Sequence, residues 1–261
     1  MELYHNNMSV CAQKVRLVLA EKGLKPLEHH LNLRAGEATT PQYLKLNPNG
    51  VIPTLIDHGR VIIESTVICE YLDDAYPDIA LRPPAPADRA LMRLWTRLPD
   101  AGLHQACGIT SFAIAFRQQM LAQPRAEIER QLAEKPDPQV RENLRATIEL
   151  GLDAPQVRKA LADYRRAIGR MAQQLESTTW LAGSGYSLAD AALLPYVCRL
   201  EQLGLGWLWS GTHRSIAGWL ERSKARANYS GIRDYLDPKY LELMQRASAE
   251  CGSRLRELLT A

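Results

Sequence analysis

No apolar run in the 261 residues approaches the ~20 needed to span a bilayer; charge or proline interrupts each one early. A membrane-spanning helix is therefore not expected. The start, Met1-Glu2-Leu3-Tyr4-His5, lacks a basic stretch followed by an apolar one, so it does not read as a secretion signal. There is no Lys/Arg block, and a net charge of +3 is too mild to argue for nucleic acid. No C-x-x-C pair exists among the five cysteines, which disfavours both a zinc ribbon and a dithiol redox centre. Cys69, Cys107, Cys198 and Cys251 are expected to be reduced thiols of a cytoplasmic protein. The six histidines lack ligand spacing. The adjacent His29 and His30 would point to opposite faces of a strand, so no metal is expected.

What is present is ordinary globular composition, 46% hydrophobic and 23% charged, enough for one large or two small domains. The first 78 residues alternate between two periodicities. Glu2 to Tyr4 is short and extended. Cys11 to Lys22 reads as a helix stopped at Gly23. Leu27 to Leu33 alternates like a strand, and Pro41 to Leu46 is a short helix ended by the turn cluster Asn47-Pro48-Asn49-Gly50. Thr54 to Asp57, His58-Gly59 and Arg60 to Ile63 read as a hairpin. Ser65 to Tyr76 carries Val67, Ile68, Tyr71 and Leu72 at helical spacing. The expected order is β-α-β-α-β-β-α. Residues 79–87, with Pro83, Pro84 and Pro86, have a linker composition. Beyond them strand signals stop, and 88–261 reads as helices, several opened by proline at the first position. The fold class is an α/β N-terminal domain followed by an all-α C-terminal domain.

Four local signals bear on chemistry. Gly50-Val51-Ile52-Pro53-Thr54-Leu55 puts a proline before an extended run, which fits an edge strand, a cis peptide or a plain turn. Glu64-Ser65-Thr66 lies at a strand-to-helix junction. Ser65 is either an ordinary cap or part of an anion site at a helix N-terminus, where unpaired N–H groups and the dipole favour a carboxylate. Glu64 beside it suits an ammonium. Before the first helix, Ser9 is either a cap or a hydroxyl able to donate to a thiolate, and Cys11 competes with it as a reactive thiol. Finally, Ser187-Leu188-Ala189-Asp190 resembles a capping box and reads as structural; losing Ser187 is expected to cost ~1 kcal/mol.

Taken together, Asn47-Pro48-x-Gly50-x-x-Pro53-x-Leu55, Glu64-Ser65-x-x-Ile68-x-x-Tyr71-Leu72 and Ser187-Leu188-Ala189-Asp190 resemble the glutathione transferase superfamily across nearly the whole chain. The resemblance implies a thioredoxin-like glutathione-binding domain at 1–78, a linker at 79–87 and a helical domain at 88–261. It implies a cis Pro53, a backbone at Ile52 pairing with the cysteinyl part of glutathione, and Glu64 and Ser65 holding the γ-glutamyl end. Ser9-x-x-x-Gln13-Lys14-Val15-Arg16 is similar to the first helix of tau- and zeta-like classes, whose serine activates the thiol. One departure stands out. Many relatives carry a histidine or glutamine against the glycyl carboxylate where this chain has Ala38-Thr39. The surroundings of Glu64, Met92-Arg93-x-Trp95-Thr96-Arg97, and an extra helical stretch around 117–155 look like bacterial lignin β-etherases, which cleave aryl ethers with glutathione.

The implied activity is attack of a glutathione thiolate, glutathione serving as co-substrate, on an apolar and aromatic electrophile, as in detoxification or aryl ether cleavage. His104, Cys107, Thr110, Ser111, Phe112 and Phe116 are candidates to line the second pocket; the alternative is core packing. Two rivals remain. One is a Cys11-dependent thiol-disulfide or deglutathionylating enzyme. The other is a non-catalytic glutathione transferase-like binding protein, favoured by Ala38. The family resemblance also implies a homodimer.

Overall fold

The computed structural model describes residues 1–134 and 137–260. The N-terminal elements are β1 (Glu2–His5), α1 (Val10–Glu21), β2 (Leu27–His30), α2 (Pro41–Leu44), β3 (Thr54–Asp57), β4 (Arg60–Ile62) and α3 (Ser65–Ala75). Their order matches the alternation read from the sequence. They form one sheet in the order β2-β1-β3-β4, with β1 parallel to β2 and the other neighbours antiparallel. The hairpin turns on His58 and Gly59, both at positive φ (48° and 75°). Such paired left-handed residues match the strand twist in a two-residue loop. The second strand is shorter than its alternation suggests. Pairing ends at His30, and Leu33–Ala35 forms a 3-10 turn capped by the Asn32 side chain, which accepts from the N–H groups of Arg34 and Ala35. Asn32 competes with the ladder for backbone partners and ends it.

Helices follow: α4 (Pro86–Leu98), α5 (His104–Ser111), α6 (Arg117–Leu121), α7 (Arg125–Ala133), α8 (Pro138–Leu150), α9 (Pro155–Ser177), α10 (Leu188–Gln202), α11 (Trp207–Ser210), α12 (Arg214–Lys224), α13 (Ser230–Arg233) and α14 (Pro238–Thr260). The long helical run from 88 to 120 is broken by a wide turn at Pro99–Leu103, where Gly102 takes φ 126°, a value glycine tolerates and other residues do not. A second wide turn, Phe112–Phe116, separates α5 from α6. Residues 135 and 136, within the stretch read as extra, lie outside the described residues, as does 261.

The chain forms two compact units. One comprises Met1–Leu98, Gln173–Val197 and Ser215–Asp237; the other comprises Pro99–Ala172, Cys198–Arg214 and Pro238–Ala261. In the first, α1 is buried nearly all round, with Val15, Leu17 and Val18 fully inaccessible, because α3 and α13 both pack on it. In the second, Arg117 donates to the carbonyls of Ile148 (2.9 Å) and Glu149 (3.2 Å), satisfying the open C-terminal end of α8. Arg145 donates to both oxygens of Glu129 at 2.9 Å, tying α8 to α7. Among the described residues no helix is long and apolar enough to cross a membrane.

Candidate active site

Ser9 caps α1: its Oγ accepts the Ala12 N–H at 3.3 Å. A hydroxyl has one proton and two lone pairs, so this bond engages a lone pair and leaves the proton to donate elsewhere. Cys11 lies two residues on, about 200° around the helix, and so faces away from Ser9. Its Sγ is 3.9 Å from the hydroxyl of the buried Tyr196 on α10.

The loop that delivers Ser9 is held from below by Arg16, which is only 2% exposed. Arg16 donates to the carbonyls of Asn6 (3.3 Å), Asn7 (2.9 Å) and Gly231 (2.8 Å) and to His5 Nδ1 (2.9 Å). Its guanidinium lies 4.1 Å from the centre of the Tyr235 ring, and Tyr235 OH donates to Glu28. Burial, then the charge of Arg16, lowers the His5 pKa to about 4. His5 is therefore neutral at pH 7, accepting from Arg16 at Nδ1. Protonation would favour the unfolded chain, whose histidines titrate near pH 6.5. Stability is thus lost as pH falls from about 6.5 to about 4, by about 2 kcal/mol at pH 5. The check is urea unfolding at pH 7 and pH 5: the drop should be about 2 kcal/mol larger in wild type than in His5→Gln.

The Ile52–Pro53 peptide is cis. It sits just before the ladder, which begins at Thr54. The preceding carbonyl, Val51 C=O, accepts from Tyr43 OH at 2.7 Å and Asn47 Nδ2 at 2.8 Å. Ile52 packs with Ala12, Ala38 and Tyr43, which sets it against the first turn of α1. Gly50 is at φ 63°, and a Cβ there would lie 3.4 Å from Ala38 O. Ala38 is thus a packing residue in a tight loop.

Glu64 caps α3 from an unusual conformation, φ 67° and ψ 111°, and its side chain makes no bond to the helix N–H groups. Non-glycine residues take such values at a cost, and they concentrate at functional sites. Asn49 Nδ2 donates to Glu64 Oε1 at 3.4 Å, joining the Pro53 turn to α3. Ser65 is the first helical residue, not the cap, and is 7% exposed. Thr66, next along, accepts from Lys14 Nζ of α1 at 2.8 Å. These links bring Ser9, Ile52, Pro53, Glu64 and Ser65 onto one region of the first unit. Sequence reasoning named Lys14 and Arg16 only within a resemblance and gave them no role, although their place amid the apolar positions of α1 was a signal; it gave none to Tyr43 or Asn49.

The other candidates lie in the second unit. On α5, Cys107 and Ser111 are buried, with Sγ and Oγ 4.0 Å apart, and His104 is exposed. The buried Arg199 donates to Ser111 Oγ at 3.3 Å and to Gln202 Oε1 at 3.1 Å. Thr110 is fully buried. Phe112 is half-buried, and Phe116 meets Tyr240 edge-on. Among the described residues no cluster of His, Cys, Asp or Glu has the makings of a metal site.

Comparison with known proteins gives the fold a family. Residues 8–75 match the glutathione S-transferase N-terminal domain model, and 138–222 match the C-terminal domain model. Protein LigF of Sphingobium sp. (strain NBRC 103272 / SYK-6) is 28% identical over 244 residues, covering 87% of this chain and 90% of LigF. Glutathione S-transferase TCHQD of Arabidopsis thaliana is 25% identical over 240 residues, 89% of each chain. The crystal structure of beta-etherase LigF superposes with a TM-score of 0.77 at 27% identity, over 90% of this chain and 97% of that one. The two domain models fall on the Ser9–Glu64 region and on the helical part respectively, and the chain belongs to the glutathione S-transferase family, whose co-substrate is glutathione.

Proposed function

We propose that this protein activates the glutathione thiol through Ser9 for attack on an apolar, aromatic electrophile. The observation that carries the reading is that Ser9 Oγ, at the start of α1, accepts the Ala12 N–H and so keeps its own proton for another acceptor, in the same unit as an α3 N-terminus whose cap, Glu64, gives no side-chain bond. The carboxylate of the γ-glutamyl end is held at the N-terminus of α3 by Ser65 and the helix N–H groups, and its ammonium by Glu64. The backbone of Ile52, set by Pro53, aligns the cysteinyl part. Ser9 then donates to the sulfur and favours the thiolate, the reactive species. For the electrophile the proposed contacts are Cys107, Ser111 and Phe112, with His104 at the start of α5, all in the second unit.

Similarity to a beta-etherase favours aryl ethers as electrophiles. The step is a displacement: the thiolate sulfur forms a bond to the ether carbon, the C–O bond breaks, and the aryloxide leaves with the electron pair and takes up a proton. The protein works as a homodimer in the cytoplasm, in a detoxification or aryl-degradation role. Val51, Val67 and Leu94, each at least 50% exposed, are apolar surface that dimerisation would cover.

Calorimetry of glutathione binding, with thiolate absorbance read in parallel, tests this on wild type, Ser9→Ala and Cys11→Ser. Ser9→Ala should keep affinity within about threefold, lose the thiolate signal at pH 7 and lower turnover roughly a hundredfold. Cys11→Ser should resemble wild type. Signal and activity lost only in Cys11→Ser would replace the reading with the thiol-disulfide one. Absence of glutathione binding would leave a binding protein of another kind.

A further inference from the structure

Two lysines of the α1 region are almost inaccessible, and they differ in one respect. Lys22, just past the end of α1, places Nζ 2.8 Å from Asp73 Oδ1 on α3, with further bonds to the carbonyls of Tyr76 and Ile79. Its charge is neutralised where it is buried. Lys14, 1% exposed, meets only a hydroxyl: Nζ donates to Thr66 Oγ1 at 2.8 Å, and among the described residues no carboxylate pairs with it. A buried ammonium is expensive without an anion, so a lone one is rarely retained for stability.

Its location supplies the anion. Thr66 is the second residue of α3, whose cap Glu64 gives no side-chain bond to the helix N–H groups. Those N–H groups and the positive end of the helix dipole face the same point. The ammonium is joined to the first turn of that helix through the Thr66 hydroxyl. The geometry points to Lys14 as the electrostatic anchor of the bound ligand: its charge is completed by the α-carboxylate of the γ-glutamyl group, and it sets the preference for a carboxylate at that end. The inference rests on the glutathione reading above. The γ-glutamyl carboxylate is assigned over the glycyl one because Glu64, at the same helix end, matches the adjacent ammonium.

Three ligands separate the charges: glutathione, its analogue with the γ-glutamyl α-carboxylate converted to carboxamide, and its analogue amidated at glycine. Kd is measured by calorimetry on wild type, Lys14→Met and Lys14→Arg. Wild type should bind the γ-glutamyl carboxamide at least tenfold more weakly than glutathione. Lys14→Met should weaken glutathione at least tenfold and shrink that ratio to threefold or less. Lys14→Arg should keep it. Melting curves confirm folding, and Lys14→Gln, which retains a donor to Thr66 while losing the charge, takes the place of Lys14→Met if the latter does not fold. An equal loss for glutathione and carboxamide would reduce Lys14 to a packing residue. Collapse of the glycyl-amide ratio instead would move the charge to the other end of the ligand. Both outcomes overturn the inference and leave the transferase reading standing. A wild type that binds no glutathione overturns both.

Discussion

Asp190→Ala is expected to lower stability by about 4 kcal/mol, with a fall of roughly 10 °C in melting temperature. Asp190 is fully buried at the start of α10, and its two oxygens take four bonds. Oδ1 accepts from the Leu181 N–H (3.0 Å) and from Trp219 Nε1 (2.8 Å). Oδ2 accepts from the Ser187 N–H (3.0 Å) and its hydroxyl (3.1 Å). Leu181, Trp219 and Ser187 are themselves almost inaccessible, so alanine would strand donors that water cannot easily reach. Ser187→Ala removes less: Ser187 Oγ accepts from the Ala189 N–H at 3.2 Å, and its loss should cost about 1 kcal/mol. Chemical denaturation of both variants gives the ordering. Below the melting transition, the thiolate signal of bound glutathione in Asp190→Ala should equal that of wild type. A cost under about 1 kcal/mol for Asp190→Ala would mean that the surrounding loop re-forms its bonds without the carboxylate.

The bonds to Asp190 from Leu181 and from Trp219, 29 residues along the chain, were not legible in the sequence. The Ser187–Asp190 half of that network was, because a capping box is local, its members three residues apart. The same holds for the stop at Gly23, which sits at φ 67°, and for the His58-Gly59 turn. The cis peptide was one of three readings of Ile52-Pro53, since a proline before an extended run fits several local structures. What stayed hidden depends on residues far apart in the chain. Periodicity assigned α1 its apolar face, but Gln13, Lys14 and Arg16 are as buried as Val15 and Leu17. Their partners are Asn7, Thr66, Gly231 and Tyr235, and no rule of spacing links these to α1. The role of Glu64 was read from its charge, whereas its positive φ belongs to the junction between β4 and α3.

Gly231→Ala should be the second most damaging of these changes, at about 3 kcal/mol, and it should also disturb the chemistry. α13 approaches α1 so closely that a Cβ on Gly231 would lie 2.7 Å from both the carbonyl carbon and oxygen of Arg16 and 2.9 Å from the Leu17 nitrogen. All three are backbone atoms inside a helix and cannot turn aside, unlike Ser248, a side chain that would meet a Cβ at Gly204. Relief therefore requires α13 to move off α1, a form of overpacking. Such a shift pulls the Gly231 carbonyl from Arg16 Nε and the Tyr235 ring from its guanidinium. Arg16 also grips the Asn6 and Asn7 carbonyls, so the loop carrying Ser9 loosens with it. Gly231→Ala should accordingly show both a melting point lower by roughly 8 °C and a weaker thiolate signal in the folded enzyme. Arg16→Met should reproduce the signal loss, and the double variant should lose less than the sum of the singles, because both act through one set of bonds. Additive losses in the double variant would show that α13 and the Ser9 loop are held independently. A melting point within 2 °C of wild type in Gly231→Ala would show that the 227–237 segment can move aside at little cost.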